Sequence, residues 1–262
     1  MRRFSGARAG VGANGLDLTH GERQTGWGAM MTDVVAVDEG VRGRLVLLAG
    51  GTSAAGRASA RALLAAGARV VVVGSDHDRL RGVAAEIPGV EVECCDLTDP
   101  DAVDALRDRV HAALGPVDGV LHLVGGWRGG GGLVGQSDDD FAFLLRSLTA
   151  LRHVSRAFDD DLATSDAGRL AIVSSASVAR PLAGGANYAT VKAASETWVR
   201  AVGQGYAKRA RDEGREPTAA AVIFRVKSLE GLEDALAASF VALWDDDAAA
   251  WNDVVIGIDG PD

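Results

Sequence analysis

The stretch Arg44-Leu45-Val46-Leu47-Leu48-Ala49-Gly50-Gly51-Thr52-Ser53-Ala54-Ala55-Gly56-Arg57 sets the frame for reading the rest of this chain. Arg44 leads five apolar residues with no polar alternation, the pattern of a strand covered on both faces. Glycines then fall at positions 50, 51 and 56, and an alanine-rich amphipathic run over 56–66 predicts a helix. A glycine-rich turn from strand to helix lets the backbone approach a pyrophosphate, whose charge the first amides and dipole of the helix favour. The same glycines also suit a tight turn that needs positive φ and nothing more.

Working outward, short β-branched runs alternate with alanine-rich stretches. Strands are predicted over 44–49, 69–73, 90–94, 118–124, 168–174, 219–225 and 253–258, and helices over 56–66, 77–87, 100–114, 138–160, 187–212 and 231–244. Runs such as Val70–Val73 are apolar on both faces, which requires helices on both sides of a parallel sheet. The expected fold is therefore α/β, a Rossmann-type doubly wound parallel sheet of about seven strands. Residues 41–262 are read as one domain. Residues 1–40 are rich in glycine and polar residues, lack hydrophobic periodicity, and are read as a disordered arm.

Composition narrows the classes. A net charge of -9 and a pI near 5.1 give no basic field for a phosphate backbone, so nucleic acid is not an expected partner. No apolar run approaches the roughly 18 residues of a membrane span. The two cysteines, Cys94 and Cys95, are adjacent and cannot build a disulfide framework, which fits a reducing cytoplasm. The five histidines lack ligand spacing, and the acidic triplets 138–140, 159–161 and 245–247 read as helix N-terminal charges or solvated turns. No metal site is expected.

A second motif is Tyr188-Ala189-Thr190-Val191-Lys192, with Ser175 thirteen residues before the tyrosine. Positions i and i+4 share a helix face, so the ammonium can sit near the phenol and lower its pKa, as a proton donor and acceptor needs. A surface pair is the bland alternative.

Together these residues make the chain from about Arg44 to Asp259 resemble a short-chain dehydrogenase/reductase. The resemblance implies that Ser175 hydrogen-bonds the substrate oxygen, that Tyr188 is the acid/base, and that Lys192 holds the nicotinamide ribose and tunes Tyr188. It implies cofactor contacts at Gly50, Gly51, Thr52, Ser53, Gly56, Ser75, Asp76, Asp96, Leu97, Gly125 and Lys192. Asp96 also suits an N-cap for the helix near Pro100. Ser147 stands where the family's helix asparagine supports a proton relay. In the resembled family the counterparts of the long helices over 138–160 and 187–212 pair across subunits, so the resemblance implies a homodimer or homotetramer.

Departures from the family pattern are informative. Ala49 and Ala54 replace a threonine and the middle glycine of the nucleotide loop, and His122-Leu123-Val124-Gly125 replaces Asn-Asn-Ala-Gly. The loop Val124-Gly125-Gly126-Trp127-Arg128-Gly129-Gly130 resembles that of dihydropteridine reductases, making Trp127 a candidate for stacking on a substrate or for packing within its own loop. After the sixth strand the usual Pro-Gly pair and long lid are missing. At the end of the second strand, Gly74 and Ser75 offer neither the acid that selects NAD nor the arginine that selects NADP. The missing acid leans toward NADP, while Asp76 keeps NAD open. The expected activity is hydride transfer to or from a small carbonyl, alcohol or cyclic quinone- or pterin-like substrate. A weak or inactive nucleotide-binding regulatory protein is the alternative.

Overall fold

The computed structural model describes residues 40–259, so of the arm expected over 1–40 only Gly40 falls within them. Strand β1 (Leu45–Ala49) is wholly buried and its alternate residues serve opposite layers. Val46 and Leu48 face one core with Leu63, Phe224, Phe240 and Trp244, whereas Leu45, Leu47 and Ala49 face another with Leu106, Leu151, Phe158 and Ile223. Two dry faces explain the absence of polar alternation in this stretch.

The other strands are β2 (Arg69–Gly74), β3 (Val90–Cys94), β4 (Gly119–His122), β5 (Gly168–Ser175), β6 (Ala219–Val226) and β7 (Val255–Gly257). All pair in parallel in the order β3-β2-β1-β4-β5-β6-β7. Helices α1 (Ala54–Ala65), α2 (His77–Glu86) and α7 (Glu233–Val241) cover the first core. Helices α3 (Pro100–Leu114), α4 (Asp138–Ala157), α5 (Asp159–Thr164) and α6 (Ala186–Asp212) cover the second. A short helix, α8 (Ala248–Trp251), precedes β7 and has no counterpart in the sequence reading. No helix among the described residues is long and apolar enough to cross a membrane.

Three boundaries differ from expectation for physical reasons, and one cap falls on a different residue. The helix over 138–160 breaks at Phe158, whose fully buried ring anchors a non-helical residue between α4 and α5. The run 118–124 pairs only through His122, after which Leu123 N donates to Ala49 O at 2.8 Å and the chain leaves the sheet. The helix over 231–244 starts at Glu233 and tightens to a 3₁₀ turn over 242–244. The cap of α3 is Asp99, whose side chain accepts from the amides of Asp101 and Ala102, so Asp96 is left for other work.

Arg169 is the exception inside the sheet. It lies on β5 and is 2% exposed. Its guanidinium donates to the carbonyls of Leu243, Asp246, Gly168 and Thr218 at 2.7, 2.9, 3.0 and 3.1 Å, tying the segment after α7 to the central sheet. Arg169→Met keeps the stem and removes those donors. It should lower stability by about 2–4 kcal/mol in urea unfolding, because buried acceptors lose their partners. A loss below about 0.5 kcal/mol would mean that the carbonyls find other donors.

Candidate active site

The strand order reverses between β1 and β4, and a crevice opens there at the carboxyl ends of the strands. Two adjoining cavities of about 430 and 370 Å³ occupy it, sharing Ser53, Leu123, Val124, Gly125 and Gly126 as common wall. The first runs along β1 to β3 and the second reaches α6 and the end of β6.

The glycine turn is built to its neighbours. Gly50 has φ +79°, and a Cβ there would lie 2.9 Å from the Val124 backbone nitrogen. A Cβ on Gly56 would lie 2.1 Å from the Gly51 carbonyl oxygen, so α1 can start this close to the loop only with glycine. Ser53 caps α1, its Oγ accepting from Gly56 N at 3.2 Å. Ala54 and Ala55, whose first-turn amides have no partner within the helix, line the second cavity. Ala54 is exposed at the helix start, so the methyl that replaces a glycine extends the wall without distorting the turn.

Ser75 lines the first cavity and Asp76 does not. The Asp76 carboxylate accepts from the amides of Asp78 and Arg79, both at 2.9 Å, capping α2, and these bonds hold it below its usual range. The sequence reading missed Arg79, which lines that cavity from the first turn of α2 and has no ion pair among the described residues. Asp96 and Leu97 line the same cavity. Asp96 accepts from Thr98 Oγ1 at 2.7 Å and Thr98 N at 2.9 Å, bonds that keep it ionised, and Arg146 stands 3.7 Å away.

Ser175, Tyr188 and Lys192 come together. Ser175 ends β5, is 5% exposed, and accepts from Ser177 N and Ser177 Oγ at 3.2 and 2.9 Å. Burial pushes the Tyr188 phenol up, opposed by a hydrogen bond with Ser175. The lowering of that phenol expected from Lys192 is therefore corrected. The ammonium lies 5.7 Å from the ring centroid and donates to the Val173 carbonyl at 2.7 Å. Burial brings Lys192 itself down to about 8, opposed by Glu196. Glu196, also missed from sequence, is 4% exposed and is gripped by Arg225 through two bonds of 2.8 and 2.6 Å and by Ser174 Oγ at 2.7 Å.

Ser147 lines the first cavity, but its hydroxyl donates to Leu144 O at 2.8 Å within α4. Its carbonyl accepts from His122 Nε2 at 3.1 Å. Trp127 is 62% exposed and lines neither cavity, while Phe143 does line the first. The Trp127 loop is instead fastened to the segment before α6. Gly130 N donates to Gly184 O at 2.8 Å, and Gln136 Nε2 donates to the carbonyls of Gly130 and Gly184, both at 3.0 Å. Among the described residues no cluster of histidine, cysteine and carboxylate side chains could hold a metal ion.

The model of the short chain dehydrogenase family matches residues 44–210. The chain is 34% identical over 96 residues to an uncharacterized oxidoreductase of Mycobacterium bovis, a match covering 34% of this chain and 28% of the relative. It is 40% identical over 82 residues to L-xylulose reductase of Mus musculus, covering 31% and 32% of the two chains. The chain thus spans about a third or less of the length of these relatives. The structure of a putative short chain dehydrogenase from Pseudomonas syringae superposes with a TM-score of 0.73 at 21% identity, covering 87% of this chain and 100% of that one.

The depressed Lys192 has a consequence for stability. Its folded-state value near 8 lies below its ordinary 10.5, so between these values the unfolded chain binds more protons and stability rises with pH. The cost of burying the ammonium is fully present below about 8. Cys95, pushed up to about 11 by burial, acts in the opposite sense, so the comparison is with Lys192→Met. Across pH 7–10.5 wild type should gain stability relative to that variant in urea unfolding. A difference that stays constant with pH would mean that the ammonium is solvated.

Proposed function

The chain belongs to the short chain dehydrogenase family, and on that premise we propose that it is an NAD(P)-dependent oxidoreductase interconverting a small carbonyl compound and its alcohol. The observation carrying this reading is that Tyr188 and Lys192 line a cavity that adjoins the one lined by the glycine turn and shares Ser53 and Leu123–Gly126 with it. Gly50, Gly51, Thr52, Ser53 and the first amides of α1 suit a pyrophosphate, Gly56 lets α1 start beside it, Gly125 leaves the floor open, and Asp96 and Leu97 suit an adenine. When bound, the nicotinamide supplies or accepts the hydride.

The protein's part is the proton. Tyr188, its pKa raised by burial, holds its proton at neutral pH and can give it to a carbonyl oxygen that Ser175 also hydrogen-bonds. Lys192, which lines the same cavity as Tyr188, returns a proton to the phenolate and would hold the nicotinamide ribose. The second cavity, at about 370 Å³ shared with the nicotinamide, suits a small substrate, cyclic ones included.

NADP is the favoured dinucleotide. Asp76 caps α2 through its Oδ1 and does not line the cavity beside Ser75, and Arg79 adds to that wall a guanidinium with no ion pair among the described residues. Such a fork recognises a phosphate monoester.

Two variants test these roles. Tyr188→Phe should reduce turnover by about 10²–10⁴ with nucleotide affinity about unchanged, since only the proton-carrying hydroxyl is lost. Retained turnover would sink the acid/base assignment, and nucleotide binding without turnover on aldehydes, ketones and quinones in wild type would favour a regulatory binder. Arg79→Gln should weaken NADPH by about tenfold or more while sparing NADH, the scale of a hydrogen bond to a charged group. Equal effects on both would remove Arg79 from phosphate recognition.

A further inference from the structure

Tyr188 stands in the first turn of α6, where backbone amides have no carbonyl one turn back to bond. The residue before the helix is Gly185, which has no side chain to supply an acceptor, so α6 starts without a cap of its own. The acceptor comes from another element. Gln136, half-buried just before α4, takes the Asn187 amide on its Oε1 at 3.2 Å. Its Nε2 lies 3.0, 3.2 and 3.0 Å from the carbonyl oxygens of Gly130, Gly132 and Gly184. A carbonyl only accepts and a backbone N–H only donates, so these neighbours fix which end of the Gln136 amide is which. Gly184 and Asn187 bracket the turn into α6, and one side-chain amide spans it.

Asn187 reaches back in the other direction. Its Nδ2 donates to the Ser137 carbonyl at 3.0 Å, and Ser137 is the residue whose Oγ caps α4 by accepting from Asp140 N at 3.2 Å. The starts of α4 and α6 are thus tied to each other twice. The glycine run over 129–132 makes this approach possible. Gly130, Gly131 and Gly132 take φ of +122°, +65° and +64°, and a Cβ on Gly129 would lie 2.5 Å from the Gly184 carbonyl oxygen.

We propose that Gln136 is a positioning residue for Tyr188: its amide clamps the turn into α6 and so holds the phenol at the working distance from Ser175 and the substrate oxygen. The inference rests on the reading of Tyr188 as the acid/base. Tyr188 and Ser175 share a hydrogen bond but belong to different elements, the start of α6 and the end of β5, so the way α6 enters sets their separation. A misplacement of about 1 Å can cost two orders of magnitude in a chemical step. Lys192 lies one turn further along and is held by the Val173 carbonyl, so loosening the turn acts on Tyr188 first. Neither Gln136 nor Asn187 lines either cavity. Their influence on the reaction runs through the helix and not through contact with a ligand.

Gln136→Met keeps the length of the side chain and removes its hydrogen bonds. It should lower kcat about tenfold while KM and NADPH affinity stay within about twofold of wild type, the split expected of a misplaced proton donor. Gln136→Glu probes the same clamp through charge. At about pH 8 its carboxylate faces carbonyl oxygens and the variant should resemble Gln136→Met, whereas toward about pH 5 the protonated carboxyl regains a donor beside its acceptor. Its kcat relative to wild type should then climb back, a step absent from Gln136→Met. Gly129→Ala, which pushes the loop off Gly184 with Gln136 intact, should reproduce the loss of kcat. Wild-type kcat in Gln136→Met, or a loss confined to KM, would overturn the proposal, as would a Gln136→Glu protein equal to wild type at the higher pH. If Gln136→Met does not fold, hydrogen exchange of the Asn187 amide in wild type decides, slow exchange supporting the clamp and free exchange overturning it. If wild type itself turns over nothing, the Tyr188 reading fails separately. The clamp is then judged by that same amide in wild type and Gln136→Met, protection lost in the variant supporting it and equal exchange overturning it.

Discussion

The parallel pairing of β1 with β4, in register from Val46 opposite Gly119 to Ala49 opposite His122, is the constraint on which the rest depends. It brings the Gly50 turn against the Val124 backbone, so closely that no side chain fits between them, and it ends both strands at the same level. The sheet reverses its order at this pair, so the helices that follow β1 and β4 depart on opposite faces and leave a crevice between them. Ser53, the Leu123–Gly126 segment and His122 all line that crevice because of this one junction.

Charge is handled in the core by pairing or by loss of the proton, and the two solutions mark different tasks. Arg169 and Glu196 are buried with hydrogen-bonding partners that satisfy their charged groups, so they fix segments in place. Lys192, Tyr188 and His122 are desolvated with fewer partners, and burial shifts each toward its neutral form. These three line the second cavity, whereas Arg169 and Glu196, whose charges are satisfied, line neither cavity.

Some departures from the family's usual residues are reconciled by neighbours distant in sequence. Ala54 sits at an exposed helix start, where a methyl costs nothing sterically. Ser147 is complemented by an imidazole from another element. Trp127, a candidate either for stacking on a substrate or for packing within its own loop, is exposed and lines neither cavity, its glycine-rich loop fastened by Gln136 and Gly184.

The seven-stranded parallel sheet was legible in the sequence, because strands dry on both faces can be satisfied only between helices, and the spacing of Tyr188 and Lys192 together with the family resemblance marked them and Ser175 as a candidate set. Element boundaries such as the break at Phe158 depended on which side chain reached the core, a property of packing that periodicity does not carry. Arg79, Glu196 and His122 became legible only in three dimensions. Each gains its meaning from partners or cavity walls contributed by other elements: the wall beside Ser75, the Arg225 guanidinium on β6, and the Ser147 carbonyl on α4. The sign of the Tyr188 shift was likewise tertiary. The spacing suggested that Lys192 would favour the phenolate, but burial raises the phenol and outweighs the opposing hydrogen bond with Ser175, a strand end distant in sequence.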